Sequence, residues 1–214
     1  MSTTETARFV VLEGGDATGK STQVARLAAR LRGAGHDVVE TFEPGATALG
    51  KRLRELLLEG DAPVDPTAEA LMMAADRAEH VAEVVRPALQ RGAWVVSDRF
   101  VPSSLAYQGV GRGLGVAEVE QLNELASAGL VPDLVVVLDL SPDAARERLL
   151  AARRRPDGDG RDRLEREDDA FALAVHEAYR DLARSRGWTL VDAAGAVDDV
   201  EVAVWEVVQE HLTP

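Results

Sequence analysis

Short apolar runs alternate along the chain with longer stretches in which apolar residues recur at helical spacing. The runs are rich in β-branched residues and lack polar alternation, which is typical of strands buried on both faces. They cover residues 9–12, 38–42, 94–97, 134–140 and 188–191. The stretches between and after them predict helices over residues 20–32, 49–58, 66–91, 116–128, 142–154, 165–186 and 200–211. This order predicts an α/β fold, a doubly wound five-stranded parallel sheet flanked by helices.

Two further features refine this outline. Pro87 lies inside the third predicted helix and is expected to kink it. Residues 153–164 are rich in Gly, Asp and Arg between two helical patterns, which predicts a short loop that acts as a mobile lid. A length of 214 residues without an obvious linker predicts a single domain over residues 1–214.

Composition and charge exclude several classes of partner and metal site. The net charge is −13, and this argues against a nucleic-acid partner, which requires a broad basic field. There is no cysteine, and the four histidines show no metal-ligand spacing, so any bound metal is expected to be a hard, oxygen-bound ion. No apolar stretch is long enough to span a membrane, and the N-terminus lacks a signal-like apolar region, which predicts a cytoplasmic location and no membrane partner.

The segment that follows the first predicted strand has a phosphate-binding pattern. Residues 14–21 read GGDATGKS, match G-x-x-x-x-G-K-[ST] and open a predicted helix. Glycines let the loop curl so that backbone N–H groups face a phosphate, while the helix N-terminus adds partial positive charge. The pattern predicts a P-loop NTPase fold in which Lys20 reaches the β- and γ-phosphates and Ser21 ligates Mg²⁺. The expected ATP-binding residues are Gly14, Gly15, Asp16, Ala17, Thr18, Gly19, Lys20, Ser21 and Thr22.

P-loops also occur in GTPase switches and in large ATPases, which are different classes of protein. A GTPase would need an Asn-Lys-x-Asp segment to read guanine, but Asn123 is the only asparagine and Glu follows it. The length of the chain disfavours a motor or transporter ATPase. A small kinase is the better interpretation.

Asp98 and Arg99 follow the third predicted strand, beside the expected position of the P-loop. A carboxylate at this point can hold the hydration shell of Mg²⁺, and an arginine can grip a phosphate with two hydrogen bonds. We therefore expect Lys20, Asp98 and Arg99 to be catalytic, with Ser21 and Asp98 at the metal.

From here the sequence resembles thymidylate kinases of the bacterial type, within the P-loop nucleoside monophosphate kinase family. The resemblance covers nearly the whole chain, and Asp-Arg-Phe followed by Ala-Tyr-Gln-Gly is its specific part. Its motifs are the P-loop, Glu43-Pro44-Gly45-Ala46-Thr47, Ala75-Asp76-Arg77-Ala78, Asp98-Arg99-Phe100 with Ser104, Ala106-Tyr107-Gln108-Gly109, Pro132-Asp133-Leu134 and Asp162-Arg163-Leu164-Glu165. It implies transfer of the γ-phosphoryl of ATP to dTMP with Mg²⁺, in a homodimer.

The resemblance also implies how the acceptor is bound. Asp16 corresponds to a carboxylate that contacts the 3′-hydroxyl of the sugar, and Arg54 and Arg99 to arginines that hold the acceptor phosphate. Tyr107 corresponds to a ring packed against the sugar. The thymine base would be read by Arg77, Ser104 and Gln108.

Two departures from the family pattern affect these expectations. Met73 stands where most relatives have an aromatic residue that stacks on thymine, and its thioether would make a softer contact. Phe42 and Ala46 replace an arginine and a glycine of the relatives' Arg-Glu-Pro-Gly-Gly segment, so the geometry of that loop is expected to differ.

Position 17 is Ala, so the P-loop supplies no arginine of its own. In bacterial-type relatives that lack this arginine, arginines of the lid fill its role, so the resemblance implies a catalytic arginine in the lid. Arg154, Arg155 and Arg163 are the expected catalytic residues there, with Arg153 and Arg161 as further candidates. A kinase for another monophosphate, or for a deoxynucleoside, is the nearest alternative. A nucleoside kinase would not need both Arg54 and Arg99 to hold an acceptor phosphate.

Overall fold

The computed structural model describes residues 7–59, 63–153, 163–164 and 167–212. Its five strands form one sheet in the order β2-β3-β1-β4-β5, and every neighbouring pair is parallel. The strands are β1 Phe9–Glu13, β2 Val38–Phe42, β3 Trp94–Asp98, β4 Leu134–Asp139 and β5 Thr189–Asp192. The predicted parallel sheet and its five strands are thus confirmed, with boundaries that differ by one residue in several cases.

The helices pack on both faces of the sheet, and three of them continue into wider π-helical turns. They are α1 Lys20–Gly33, α2 Ala48–Arg54, α3 Pro66–His80, α4 Arg86–Gln90, α5 Val101–Ser104, α6 Val116–Ser127, α7 Pro142–Arg153, α8 Asp169–Arg186 and α9 Val197–Leu212. The π-helical segments are Glu55–Glu59 after α2, Val81–Val85 between α3 and α4, and Leu105–Gly111 after α5. No helix in the ranges described has the length and apolar composition needed to cross a membrane.

The central strand β1 shows why its sequence is apolar at consecutive positions. Val10 and Leu12 pack with Leu27 of α1 on one face of the sheet, whereas Phe9 and Val11 pack with Val85 on the other. Both faces of the strand are therefore covered by helices, so no position is left for a solvated side chain.

Four predictions about the helices were wrong in detail. The third predicted helix runs from Pro66 to Gln90, but it is not α-helical throughout, because a π-helical turn at Val81–Val85 precedes Pro87 and accommodates its ring and missing N–H. The helix predicted to begin at residue 165 begins at Asp169, because the Asp168 carboxylate caps it by accepting from the Phe171 N–H at 2.8 Å. The last helix begins at Val197. The helical segment formed by Val101–Ser104 and Leu105–Gly111 was not predicted.

Helices α2 and α3 approach each other closely at Gly50. A Cβ at this position would lie 2.4 Å from Asp76 Oδ1 of α3. The same Asp76 oxygen accepts a hydrogen bond from the Gly45 N–H at 2.9 Å. A glycine is needed here because any side chain would push α2 away from α3.

The carboxyl ends of β1, β2 and β3 open into one cleft of about 700 Å³. Because neighbouring strands are parallel, residues that follow them emerge on the same edge of the sheet. Asp16, Glu43 and Arg99, which follow these three strands, all line the cleft.

Candidate active site

The phosphate loop is held against β4 and curls over the start of α1. Gly14 has φ 133°, and a Cβ there would lie 2.6 Å from the Leu138 carbonyl oxygen, so only glycine fits. Gly19 (φ 92°) caps α1. The Gly15 carbonyl accepts from Lys20 Nζ at 2.7 Å and from Thr18 Oγ1 at 3.0 Å. The loop therefore encloses its own lysine above the N-terminus of a helix, the arrangement that binds phosphate.

Lys20 is 7 % exposed. Burial, together with the nearby charge of Arg99, lowers the pKa of the Lys20 ammonium to about 8, although Asp98, Asp16 and Glu13 act in the opposite direction. An anionic ligand in the loop would supply the negative charge that this buried ammonium lacks.

Ser21 and Asp98 face each other across the loop. Ser21 Oγ donates to Asp98 Oδ2 at 2.5 Å, and the buried Asp98 Oδ1 has no hydrogen-bond partner in the described part of the chain. Elsewhere in that part no group of three or more acidic, His or Cys side chains could hold a metal. One hydroxyl and one carboxylate suit Mg²⁺, which takes few protein oxygens and fills its remaining positions with water and nucleotide phosphate oxygens.

Arg99 has a left-handed backbone (φ 72°), which is uncommon for a residue other than glycine and is typical of functional sites. Its Nη2 donates to Asp16 Oδ1 at 2.6 Å, and its Nη1 donates to the Gly14 carbonyl at 3.1 Å. Tyr107 also donates to Asp16, at 3.2 Å, and burial raises the pKa of this phenol. The guanidinium therefore lies beside the phosphate loop, in the same cleft that Arg77 and Gln108 line.

A buried carboxylate that the sequence analysis missed supports this arginine. Glu13 accepts from the Phe100 N–H at 2.7 Å, from Ser103 Oγ at 2.6 Å and from the Tyr179 hydroxyl at 2.9 Å. Burial raises the pKa of Glu13, and the Arg99 charge and these hydrogen bonds oppose the shift. A charged residue ending an otherwise apolar strand was the signal in the sequence that could have revealed it.

Arg77 is almost fully buried at the other end of the cleft. Its Nε and Nη2 contact Glu43 Oε2 at 2.9 and 2.8 Å, and its Nη1 donates to Ser104 Oγ at 3.0 Å and to Asn123 Oδ1. The second oxygen of Glu43 contacts His80 Nδ1 at 2.7 Å. The guanidinium is thus held rigidly by partners from three parts of the chain, which are the loop after β2, α5 and α6. Glu43 and Asn123 were not expected in this role.

The other residues expected at the acceptor end line the same cleft. Arg54 donates to the Pro44 carbonyl at 2.9 Å, which holds its guanidinium near the loop after β2. The cleft-lining residues that correspond to predicted positions are Asp16, Ala17, Lys20, Ser21, Arg54, Met73, Arg77, Asp98, Arg99, Ser104, Tyr107 and Gln108. The structure therefore brings all the predicted acceptor-binding residues together.

The expected lid arginines have a different status. Arg154, Arg155 and Arg161 lie outside the described residues, as does the side chain of Arg153. Arg163 is described, and its guanidinium donates to Glu69 Oε2 at 2.6 Å and to the Leu57 carbonyl at 2.7 Å. In this structure the hydrogen bonds of the Arg163 guanidinium thus go to α3 and to the π-helical segment Glu55–Glu59, and not to the phosphate loop.

Comparison with known proteins agrees with this geometry. The thymidylate kinase family model matches residues 12–204. A thymidylate kinase from Synechococcus sp. (strain JA-2-3B'a(2-13)) is 48 % identical over 206 residues, which is 95 % of each chain. One from Leifsonia xyli is 48 % identical over 197 residues, covering 92 % of this chain and 91 % of the relative, and one from Deinococcus radiodurans is 45 % identical over 206 residues, covering 95 % and 97 %. With a nucleotide-sized cleft between a phosphate loop and a cluster of arginines, and with relatives matched along nearly their whole length, the chain belongs to the thymidylate kinase family.

Proposed function

We propose that this protein is an ATP-dependent phosphotransferase that moves the γ-phosphoryl of ATP to dTMP, giving dTDP and ADP. The observation that supports this most directly is the position of Arg99. Its guanidinium touches both the Gly14 carbonyl of the phosphate loop and Asp16, while its side chain lines the cleft that extends to Arg77 and Gln108. A phosphate held by Arg99 would therefore lie next to a phosphate held by the loop.

At the donor end, the loop amides and Lys20 would hold the β- and γ-phosphates of ATP. Phosphoryl transfer requires little covalent help, and most of its rate comes from alignment and from neutralising charge on the transferred group. The charge of Lys20 is preorganised for this purpose, because its ammonium is already buried and bound to the Gly15 carbonyl.

The metal proposed for this reaction is Mg²⁺, held by Ser21 and Asp98 together with the nucleotide. The ion would supply neutralising charge between the β- and γ-phosphates. The protein's contribution is the Ser21 hydroxyl and Asp98 Oδ1, which has no hydrogen-bond partner among the residues that the structure describes.

At the acceptor end, Arg54 and Arg99 would hold the dTMP phosphate, and Asp16 would accept a hydrogen bond from the sugar 3′-hydroxyl. Arg77 and Ser104 would read one carbonyl of thymine, Gln108 the neighbouring imide group and Met73 the base face. Tyr107 would pack against the sugar. Arg154 and Arg155 are proposed to complete the charge neutralisation when both nucleotides are bound, while Arg163, the third expected arginine, is held at Glu69.

The test is a panel assay in which ATP and Mg²⁺ are supplied with dTMP, dUMP, dCMP, GMP or thymidine and ADP release is followed. We expect dTMP to give the highest kcat/KM and thymidine to give none, because thymidine has no phosphate for Arg54 and Arg99. If another monophosphate gave the highest kcat/KM, that nucleotide would be the acceptor in place of dTMP. Turnover of thymidine would contradict the phosphate-binding role of both arginines.

The family resemblance also supports a homodimer in the cytoplasm. Light scattering coupled to size-exclusion chromatography would test the first part, with twice the 22.9 kDa chain mass as the expected result. A monomer mass at micromolar concentration would contradict it.

A further inference from the structure

A buried carboxylate outside the predicted site is bonded to one of the base-reading residues. Glu69 of α3 is fully buried, and its Oε1 accepts from Gln108 Nε2 at 2.8 Å. The other oxygen, Oε2, accepts from Arg163 Nη2 at 2.6 Å and from Arg112 Nη2 at 3.1 Å. Arg112 Nε also lies 3.3 Å from both oxygens, so Gln108 contacts Oε1, Arg163 contacts Oε2 and Arg112 spans the two.

Glu69 is ionised in this environment. Burial alone would raise the pKa of Glu69, but the hydrogen bonds from Gln108, Arg112 and Arg163 outweigh it, so the pKa is lowered. An ionised carboxylate can only accept hydrogen bonds. The group of Gln108 that faces Glu69 must therefore be its NH₂, which leaves the amide oxygen for the cleft that Gln108 lines.

We propose that Glu69 is a positioning residue that sets base specificity, by fixing the amide of Gln108 with its acceptor oxygen toward the base. This inference rests on the proposed function, because it concerns how that acceptor site chooses its base. An acceptor facing the base favours thymine and uracil, whose N3 carries a hydrogen. It disfavours cytosine, whose N3 is itself an acceptor.

The two arginines make a sharp test possible. In Glu69→Gln the side chain keeps its size but has one oxygen and one NH₂. Arg163 Nη2 and Arg112 Nη2 lie at the Oε2 position and can only donate, so the remaining oxygen is expected to turn toward them. The new NH₂ then takes the Oε1 position and faces Gln108, with loss of the longer 3.3 Å contact from Arg112 Nε. Gln108 must then present its oxygen to residue 69 and its NH₂ to the cleft. An isosteric change at a residue that touches no substrate thus reverses the polarity of the amide that reads the base.

The experiment measures kcat/KM for dTMP and for dCMP with saturating ATP. We expect Glu69→Gln to lower the dTMP:dCMP ratio about tenfold or more, since one mismatched hydrogen bond to a buried group is replaced by a matched one. The change should appear in KM and not in kcat. A ratio equal to that of the wild type, in folded protein, would overturn the proposal.

A second variant restores the original polarity. In Glu69→Gln with Gln108→Glu, the NH₂ of residue 69 donates to the carboxylate at residue 108, whose other oxygen again faces the base as an acceptor. We expect the wild-type preference for dTMP to return. The double variant keeps the net charge of the wild type, so it also tests the proposal if Glu69→Gln alone does not fold. A folded double variant without the preference for dTMP would contradict the proposal.

The matched control is Glu167→Gln, which removes a carboxylate 2.6 Å from the same Arg112. Within the described residues the side-chain hydrogen bond of Gln108 goes to Glu69 and not to Glu167. Its dTMP:dCMP ratio should remain that of the wild type, and a fall equal to that of Glu69→Gln would mean that loss of charge near Arg112 causes the effect. Failure of the proposed function is distinguishable, because wild-type protein would then make no dTDP at all.

Discussion

The two ends of the cleft are built in different ways. The donor end is one contiguous loop of residues 14–21 whose ligands are mainly backbone groups, and its single buried cation, Lys20, belongs to the same loop. The acceptor end collects side chains from α2, α3, the residue after β3 and the helical segment that follows. Two of them, Arg77 and Gln108, are held by carboxylates distant in sequence. The comparison teaches that the first end depends on local chain geometry, whereas the second depends on the packing of the whole fold.

The largest expected effect is at the donor end. Lys20→Ala removes the only buried ammonium of the loop, and we expect kcat to fall about 10³-fold or more because no other loop side chain can neutralise the phosphates. Steady-state kinetics would measure it. Lys51→Ala is the matched control, since Lys51 is the only other lysine and is exposed on α2; near-normal activity of Lys20→Ala would contradict the assignment of the loop.

The acceptor end is tested by Arg99→Lys, which keeps the charge beside Asp16 and Glu13 but loses the forked geometry. We expect kcat/KM for dTMP to fall about 10²-fold, while ATP binding is retained. Isothermal titration with ATP and kinetics with dTMP separate the two effects. Arg91→Ala, which removes an exposed arginine paired with Asp37, should change neither. Equal loss of ATP and dTMP binding in Arg99→Lys would show that the two ends are not independent.

A pH profile separates the two ends without any substitution. Lys20 is cationic below its pKa of about 8 and becomes neutral above it, so kcat/KM for ATP should be level below that pH and fall about tenfold per unit above it. Bound phosphates favour the ammonium, so the fall in kcat should begin at higher pH. At saturating ATP, kcat/KM for dTMP should lack the fall near pH 8, because the acceptor is held by arginines. Coincident profiles for the two substrates would contradict this.

The smallest expected effect concerns the base face. Met73→Phe replaces a flexible thioether with a ring, and we expect the KM for dTMP to fall about threefold through stacking on thymine. Leu71→Phe adds a ring at an exposed position of the same helix and should leave KM unchanged. An unchanged or higher KM in Met73→Phe would show that residue 73 does not lie against the base.

The donor end could be predicted from the sequence because its pattern is contiguous. The spacing of Gly14, Gly19, Lys20 and Ser21 sets the loop by itself, and the parallel sheet then places Asp98 beside Ser21, as the 2.5 Å contact shows. The strands could be predicted equally well, because a strand that is buried on both faces has an unbroken apolar sequence, as in residues 134–138.

The supporting partners at the acceptor end could not be predicted in this way. Glu13, Glu43, Glu69 and Asn123 have no local pattern, because each meets its partner only when distant segments fold together. The helical segment from Val101 to Gly111 was missed for a related reason, since its π-helical part departs from the 3.6-residue period by which helices are recognised. The resemblance to a family identified Arg77 and Gln108 and included Glu43 in one of its motifs, but it gave no indication that Glu43 and Glu69 orient them.

The close approach at Gly50 has a consequence for engineering this enzyme. Alanine has a higher helix propensity than glycine, so replacing a glycine inside a helix is expected to raise the free energy of unfolding by about 1 kcal/mol. At this position the added methyl group would meet Asp76 and displace α2, the helix that ends at Arg54. Gly50→Ala is therefore expected to displace Arg54, the proposed ligand of the acceptor phosphate, although residue 50 itself touches no ligand.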